Sequence, residues 1–124
     1  MGIIARLFGN GSDPGSEQGS EEHAVIVRVT LEGEMPTDEE LERFVAIQER
    51  LAEAINAAGS GEFDGDEWGE GVCTIYMYGP DADALWESVM KVLEREPFRA
   101  GSTARKRYGP PGAREEVINL RFDG

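Results

Sequence analysis

The chain predicts an α+β domain, an antiparallel sheet with two helices on one face, on three observations. Val72–Gly79 (VCTIYMYG) is a run of β-branched and aromatic residues with alternating side-chain character, as a pleated, half-buried strand requires. Pro80–Arg95 (PDADALWESVMKVLER) follows directly, with a fixed φ at Pro80 and the negative charges of Asp81 and Asp83 where a helix exposes unpaired N–H groups. Two turns, Gly69–Gly71 and Gly109–Gly112, are too short for a parallel crossover, which takes a dozen or more residues. Separate βαβ units in a parallel sheet are therefore disfavoured.

The remaining elements fall in order. His23–Glu32 (HAVIVRVTLE) alternates, with Val25, Val27, Val29 and Leu31 on one face and Ala24, Ile26, Arg28 and Thr30 on the other. His23 stands at the strand start, a place that suits a structural or solvated histidine better than a catalytic one. Thr37-Asp38-Glu39-Glu40 is a capping box, Thr37 capping and Glu40 reaching back. Leu41, Phe44, Val45, Leu51, Ala52 and Ile55 then recur at helical spacing as the expected core face, and Gly59 ends the helix. Gly61–Gly71 (GEFDGDEWGEG) reads as an edge strand around Glu62–Glu67 and a turn. Leu85, Val89 and Leu93 form the stripe of the second helix, widened by Trp86 and Met90, and Pro97 stops it. Thr103–Tyr108 and Glu116–Phe122 supply two more strands around a Gly-Pro-Pro-Gly turn that can continue neither ladder. The order is β-α-β-β-α-β with one added C-terminal strand. That is the split βαβ, or ferredoxin-like, arrangement.

The 124 residues divide into an N-terminal part, residues 1–21, and one domain, residues 22–124. Met1–Phe8 (MGIIARLF) places Ile3/Leu7 and Ile4/Phe8 one helical turn apart, and Gly9–Ser20 is a Gly/Ser-rich linker too polar to pack. The apolar peptide has three readings: docked on its own domain, loose, or engaged with a partner or membrane surface. Without it the domain still has about one hundred residues, enough for one core with no disulfide or structural metal. Cys73, the single cysteine, lies inside an apolar strand and reads as an inert buried thiol. No run approaches a membrane span, and Ile3-Ile4-Ala5 is too short for a signal-peptide core, so a cytoplasmic location is expected.

The net charge of −13 is unevenly spread. From Glu17 to Glu70 there are sixteen acidic and three basic residues, and from Arg99 to Arg121 six basic and two acidic. An acidic body disfavours general nucleic-acid binding, whose affinity comes largely from Lys and Arg on phosphates. It suits solubility, or a basic partner protein.

Two surfaces stand out. Asp64, Asp66, Glu67 and Glu70 surround Trp68 in a Gly-rich stretch. A calcium loop fails there, because Trp68 takes the third ligand position after Asp64 and Asp66, and Ile75 stands where the bidentate Glu belongs. No metal or other cofactor is expected. Trp68 either covers the end of the core or lies partly exposed, and in the second case the five residues form a binding edge for a basic surface. The other surface is the helix-free side of the sheet. If Cys73, Ile75 and Met77 face the helices, Tyr76 and Tyr78 face away beside Arg28, and register decides whether Arg105/Arg107 or Lys106/Tyr108 join them. Tyrosines flanked by cations on the bare side of this fold suggest a stacking platform for bases, but the RNA-recognition consensus is absent, and a face covered by another subunit or by the Met1–Phe8 peptide is the plainer expectation. No nucleophile elbow, phosphate loop or other catalytic constellation occurs.

The segments DGDEWGEG, YMYGPDADALWE and RYGPPGA resemble those of a family of small uncharacterised bacterial proteins with a ferredoxin-like domain. That resemblance spans roughly residues 22–120 and implies the domain boundaries without an activity. The reading of the residues themselves is a non-enzymatic binding protein, through the acidic edge or through sheet-mediated pairing into a dimer. An inhibitor or immunity-type protein for a basic partner is a specific form of it. A ligand- or nucleic-acid-binding module on the open face is the alternative, and an enzyme of unknown class comes third.

Overall fold

Alternation in the first strand sets the architecture. The computed structural model describes residues 22–120, so the expectations for Met1–Phe8, Gly9–Ser20 and Phe122 lie outside the described residues. Within them run β1 (His23–Thr30), α1 (Asp38–Ala58), β2 (Glu62–Gly69), β3 (Val72–Gly79), α2 (Ala82–Glu94), β4 (Thr103–Arg107) and β5 (Glu115–Asn119). The sheet order is β2-β3-β1-β4-β5 with every neighbour antiparallel. This is the ferredoxin-like α+β arrangement with β5 added beside β4.

Both helices start and stop where local chemistry says they should. Thr37 Oγ1 accepts the Glu40 N–H at 3.0 Å while Glu40 Oε1 accepts the Thr37 N–H at 3.0 Å, closing the capping box. Gly59 ends α1 at φ 64°, a left-handed conformation that glycine adopts without a Cβ penalty. In α2 the cap is Asp81, whose Oδ1 accepts the N–H groups of Asp83 and Ala84, so the helix begins two residues after Pro80.

One face of the sheet carries the core. Val25, Val27, Val29, Cys73, Ile75, Met77 and Ala104 are buried against Phe44, Ile47, Leu51 and Ile55 of α1 and Leu85, Val89 and Leu93 of α2. The expected core face of α1 needs correction: Leu41 and Val45 are 43% and 46% exposed, and Ile47 is buried. The reason is placement. Helix α1 packs on α2 and on the edge strand β2, so its outward flank has no further layer to pack against, while Ile47 turns inward. Phe98 is buried in the α2–β4 connection, and Ser102 joins it as a buried polar residue. Ser102 Oγ accepts the Thr30 N–H at 3.0 Å and its carbonyl accepts the Leu120 N–H at 3.0 Å, finishing two strands at once.

The last hairpin differs slightly from the expected bounds. Strand β4 ends at Arg107 and β5 begins at Glu115, with Tyr108 N–H donating to the Arg114 carbonyl at 2.9 Å to close the loop. At the opposite hairpin Glu70 and Gly71 both have positive φ, 53° and 80°, which is the two-residue turn that matches strand twist.

Gly61 and Gly79 pass each other closely where the chain enters β2 and leaves β3. A Cβ on Gly61 would collide with the Tyr78 carbonyl oxygen, and one on Gly79 with the Ser60 carbonyl oxygen. Backbone cannot give way as a flexible side chain does. Gly79→Ala is expected to lower unfolding free energy by about 2 kcal/mol or more, as overpacking does. Urea denaturation checks this, and an unchanged midpoint would show the crossing to be loose.

Candidate functional site

Parity divides the polar residues of the sheet between its two sides. On the helix side, Asp66 Oδ2 accepts from Gln48 Nε2 at 2.8 Å and from Trp68 Nε1 at 3.0 Å. The Trp68 ring lies 6.1 Å from that of Phe44, tilted by 38°, and packs half-buried on the core. Beneath it, burial and then the Asp66 charge push the Cys73 thiol up to about 12, so the thiol stays protonated and unreactive at neutral pH. Glu67 points the other way, and its Oε1 accepts the Tyr76 hydroxyl at 2.8 Å. Asp64 occupies a bulge between Phe63 and Gly65, and Glu70 sits at the hairpin tip. The acidic cluster of the sequence is therefore distributed over both faces and an end of the sheet.

The face turned away from the two described helices instead gathers its residues. The ladder partners place Arg28, Tyr76, Tyr78, Arg105 and Arg107 together there, and settle the register in favour of Arg105 and Arg107. One row crosses the sheet as Glu62, Tyr78, Ala24, Arg107 and Glu115. Two residues along lie Gly65, Tyr76, Ile26, Arg105 and Val117, and beyond them Glu67, Thr74, Arg28, Thr103 and Asn119. Glutamates thus stand on β2, rings on β3, Ile26 and Arg28 on β1, and arginines on β4. Arg105 pairs with Glu115 at 2.8 Å and Arg107 donates from Nε to the Gly109 carbonyl at 2.8 Å. Arg28 is exposed and forms no ion pair or hydrogen bond among the described residues, and Val117 is 54% exposed.

A second polar cluster has the residue types of acid–base chemistry. Asp83 Oδ1 receives Lys106 Nζ at 2.9 Å and the Tyr108 hydroxyl at 2.7 Å, and Lys106 also reaches Glu116 at 3.2 Å. Every shift in it leads away from neutrality. The Tyr108 hydrogen bond, then Lys106, hold Asp83 below the ordinary carboxylate range, while donating to Asp83 holds both Lys106 and Tyr108 high. A general acid or base works best with a pKa near the operating pH. The cluster instead joins β4 and β5 to the start of α2, where His23 Nδ1 accepts the Ala82 N–H at 3.0 Å. His23 is a helix anchor that its position in the sequence did not reveal.

Among the described residues, no group of three or more His, Cys, Asp or Glu is arranged to hold a metal ion. Also among them, no helix is long and apolar enough to cross a membrane. Compared with family models, curated proteins and solved structures, the chain matches none.

Glu22, just before β1, reports on the corner of the open face. Partial burial first, then the charges of Glu62 and Asp64, raise its carboxyl above the ordinary glutamate range against the pull of Arg107. A carboxyl raised on folding binds protons more tightly folded than unfolded, so its cost is absent below the unfolded range and complete above the folded one. Glu22→Gln is expected to raise the thermal midpoint at pH 7 and to lose that advantage in acid, below the ordinary glutamate range. Thermal scans across pH check the sign, and a uniform gain at all pH values would contradict it.

Proposed function

We propose that this chain is a protein-binding module that works through the helix-free face of its sheet. The observation that carries the reading is the convergence of Arg28, Tyr76, Tyr78, Arg105 and Arg107 on one face, with Ile26 between them and Val117 on the edge strand beside Arg105. Aromatic and arginine side chains are the types that dominate protein interfaces. A polyanion suits the face less well, because Glu62 and Glu67 line the strand beside the tyrosines and would repel phosphates. Binding through Trp68 as an exposed anchor has less support, since its ring packs on Phe44 and its N–H is taken by Asp66.

Site-specific photo-crosslinking separates these readings. With p-benzoylphenylalanine at Arg28, irradiation in cells is expected to trap a protein adduct, and the same group at the exposed helix position Glu87 should trap none. Adducts of equal yield at both positions would remove the open face as the binding surface, and an adduct with RNA would favour the nucleic-acid reading. Trp68→Ala should act on folding instead, lowering stability by about 2–3 kcal/mol through lost core cover while leaving the Arg28 adduct in place in the folded fraction.

A further inference from the structure

The side of the sheet away from the described helices is unevenly covered. Along β1 its residues grade from Ala24, fully buried, through Ile26, half-buried, to Arg28, exposed. Tyr76 and Tyr78, the ladder partners of Ile26 and Ala24, are half-buried as well. Asp64, Tyr76 and Tyr78 each take part in a contact beyond the hydrogen bond from Tyr76 to Glu67. Burial therefore gathers at the end of the face where the chain enters β1. Glu22 stands at that corner, partly buried near the charges of Glu62, Asp64 and Arg107.

We propose that Met1–Phe8 of the same chain packs on this end of the face, over Ala24, Ile26, Tyr76 and Tyr78, and that a binding partner gains the tyrosines by displacing it. The displacement rests on the reading that this face binds protein; the packing does not. Attachment favours this occupant. Residues 1–21 join β1 at the buried corner, and Tyr76 lies only one strand across and two residues along from Ala24, roughly 5 Å and 7 Å. A Gly/Ser chain of the length of Gly9–Ser20 spans roughly 20 Å on average, which is ample. So short a tether holds its end at about millimolar effective concentration, so that even a weak apolar contact is populated. Composition agrees, because Ile3/Leu7 and Ile4/Phe8 offer apolar pairs to Ile26 and the tyrosine rings. Charge then sets the side. Arg6 is attracted by Glu62, Asp64 and Glu67 of β2 and repelled by Arg105 and Arg107 of β4.

A second apolar recess competes for the segment less well. It holds about 290 Å³ between α2 and β5 and is lined by Trp86, Met90, Leu93, Phe98, Ile118 and Leu120. It opens on the helix side of the sheet, beside the row of Arg28, Thr103 and Asn119, at the opposite end of the strands from Glu22. Arg6 would find one carboxylate there, Glu94.

Photo-crosslinking of the purified full chain, with p-benzoylphenylalanine in place of Phe8, locates the segment. The expected product keeps the mass of one chain and maps by mass spectrometry to the β2 and β3 peptides that contain Asp64, Tyr76 and Tyr78. Its yield should not change with protein concentration, and should fall severalfold when Arg6→Glu or Leu7→Asp is added, with circular dichroism verifying each fold. An adduct on α2 or β5 overturns the packing. So does a product of twice the mass that grows with concentration, which would put the segment of one copy on another. A yield indifferent to both substitutions overturns it too. For the displacement, Leu7→Asp should raise severalfold the adduct that p-benzoylphenylalanine at Arg28 forms with another protein in cells, and no rise overturns that part. If the Arg28 probe captures no protein in either chain, the binding reading falls while a Phe8 product mapped to the tyrosines still supports the packing.

Discussion

Strand β1 pairs with β3 on one side and β4 on the other, so the parity of His23–Thr30 determines which way the side chains of the three central strands point. With Val25, Val27 and Val29 facing the helices, Ile75 and Ala104 are drawn to the same side as the ladder partners of Val27. A slip of one residue would move every buried valine to solvent. At ~25 cal/mol per Å² of apolar surface, exposing three valines costs several kcal/mol, comparable to the net stability of a small domain. That penalty fixes the register, and the register in turn assembles the open face.

The polar groups on the helix side serve that same register. Lys106 and Tyr108 on Asp83 join the outer strands to α2, His23 takes the first N–H of α2, and Asp66 ties β2 to α1 through Gln48. Arg43 and Arg50 both reach Glu96, bracing α1 against the segment that follows α2. Exposed pairs of this kind contribute little singly. Their role is geometric: each crosses between elements that the hydrophobic layer alone would leave free to slide.

Much of this was legible in the sequence because it is local. The capping box at Thr37, the left-handed Gly59, the alternation of β1 and β3 and the two short turns depend on residues within a few positions of one another. What was missed depends on neighbours far along the chain. Leu41 and Val45 carry the right period but lie over the rim of the sheet, which periodicity cannot see. Ser102 is needed by strand ends remote in sequence, and Phe98 joins a core built from the other elements. The acidic stretch shows the limit most clearly. In an unbroken strand Glu62, Asp64, Asp66 and Trp68 would share one face, but the bulge at Asp64 changes the phase. Glu62 consequently joins Tyr78 on the open side while Asp66 and Trp68 turn to the helices. The signal for it was present: Asp64-Gly65 is a poor strand pair, and a glycine inside a strand often marks a bulge.

The bulge links the fold to the make-up of the candidate face. Bulges re-aim side chains without ending the pairing, and this one separates two roles that a regular strand would have combined. Downstream of it, Asp66 and Trp68 are committed to one another and to α1. Upstream of it, Glu62 is delivered to the row that contains Arg107, three strands away. That spacing is too wide for the two side chains to meet. Both described helices pack on the other face, so the bulge decides which β2 carboxylate stands with the tyrosines and arginines on the side of the sheet opposite the core.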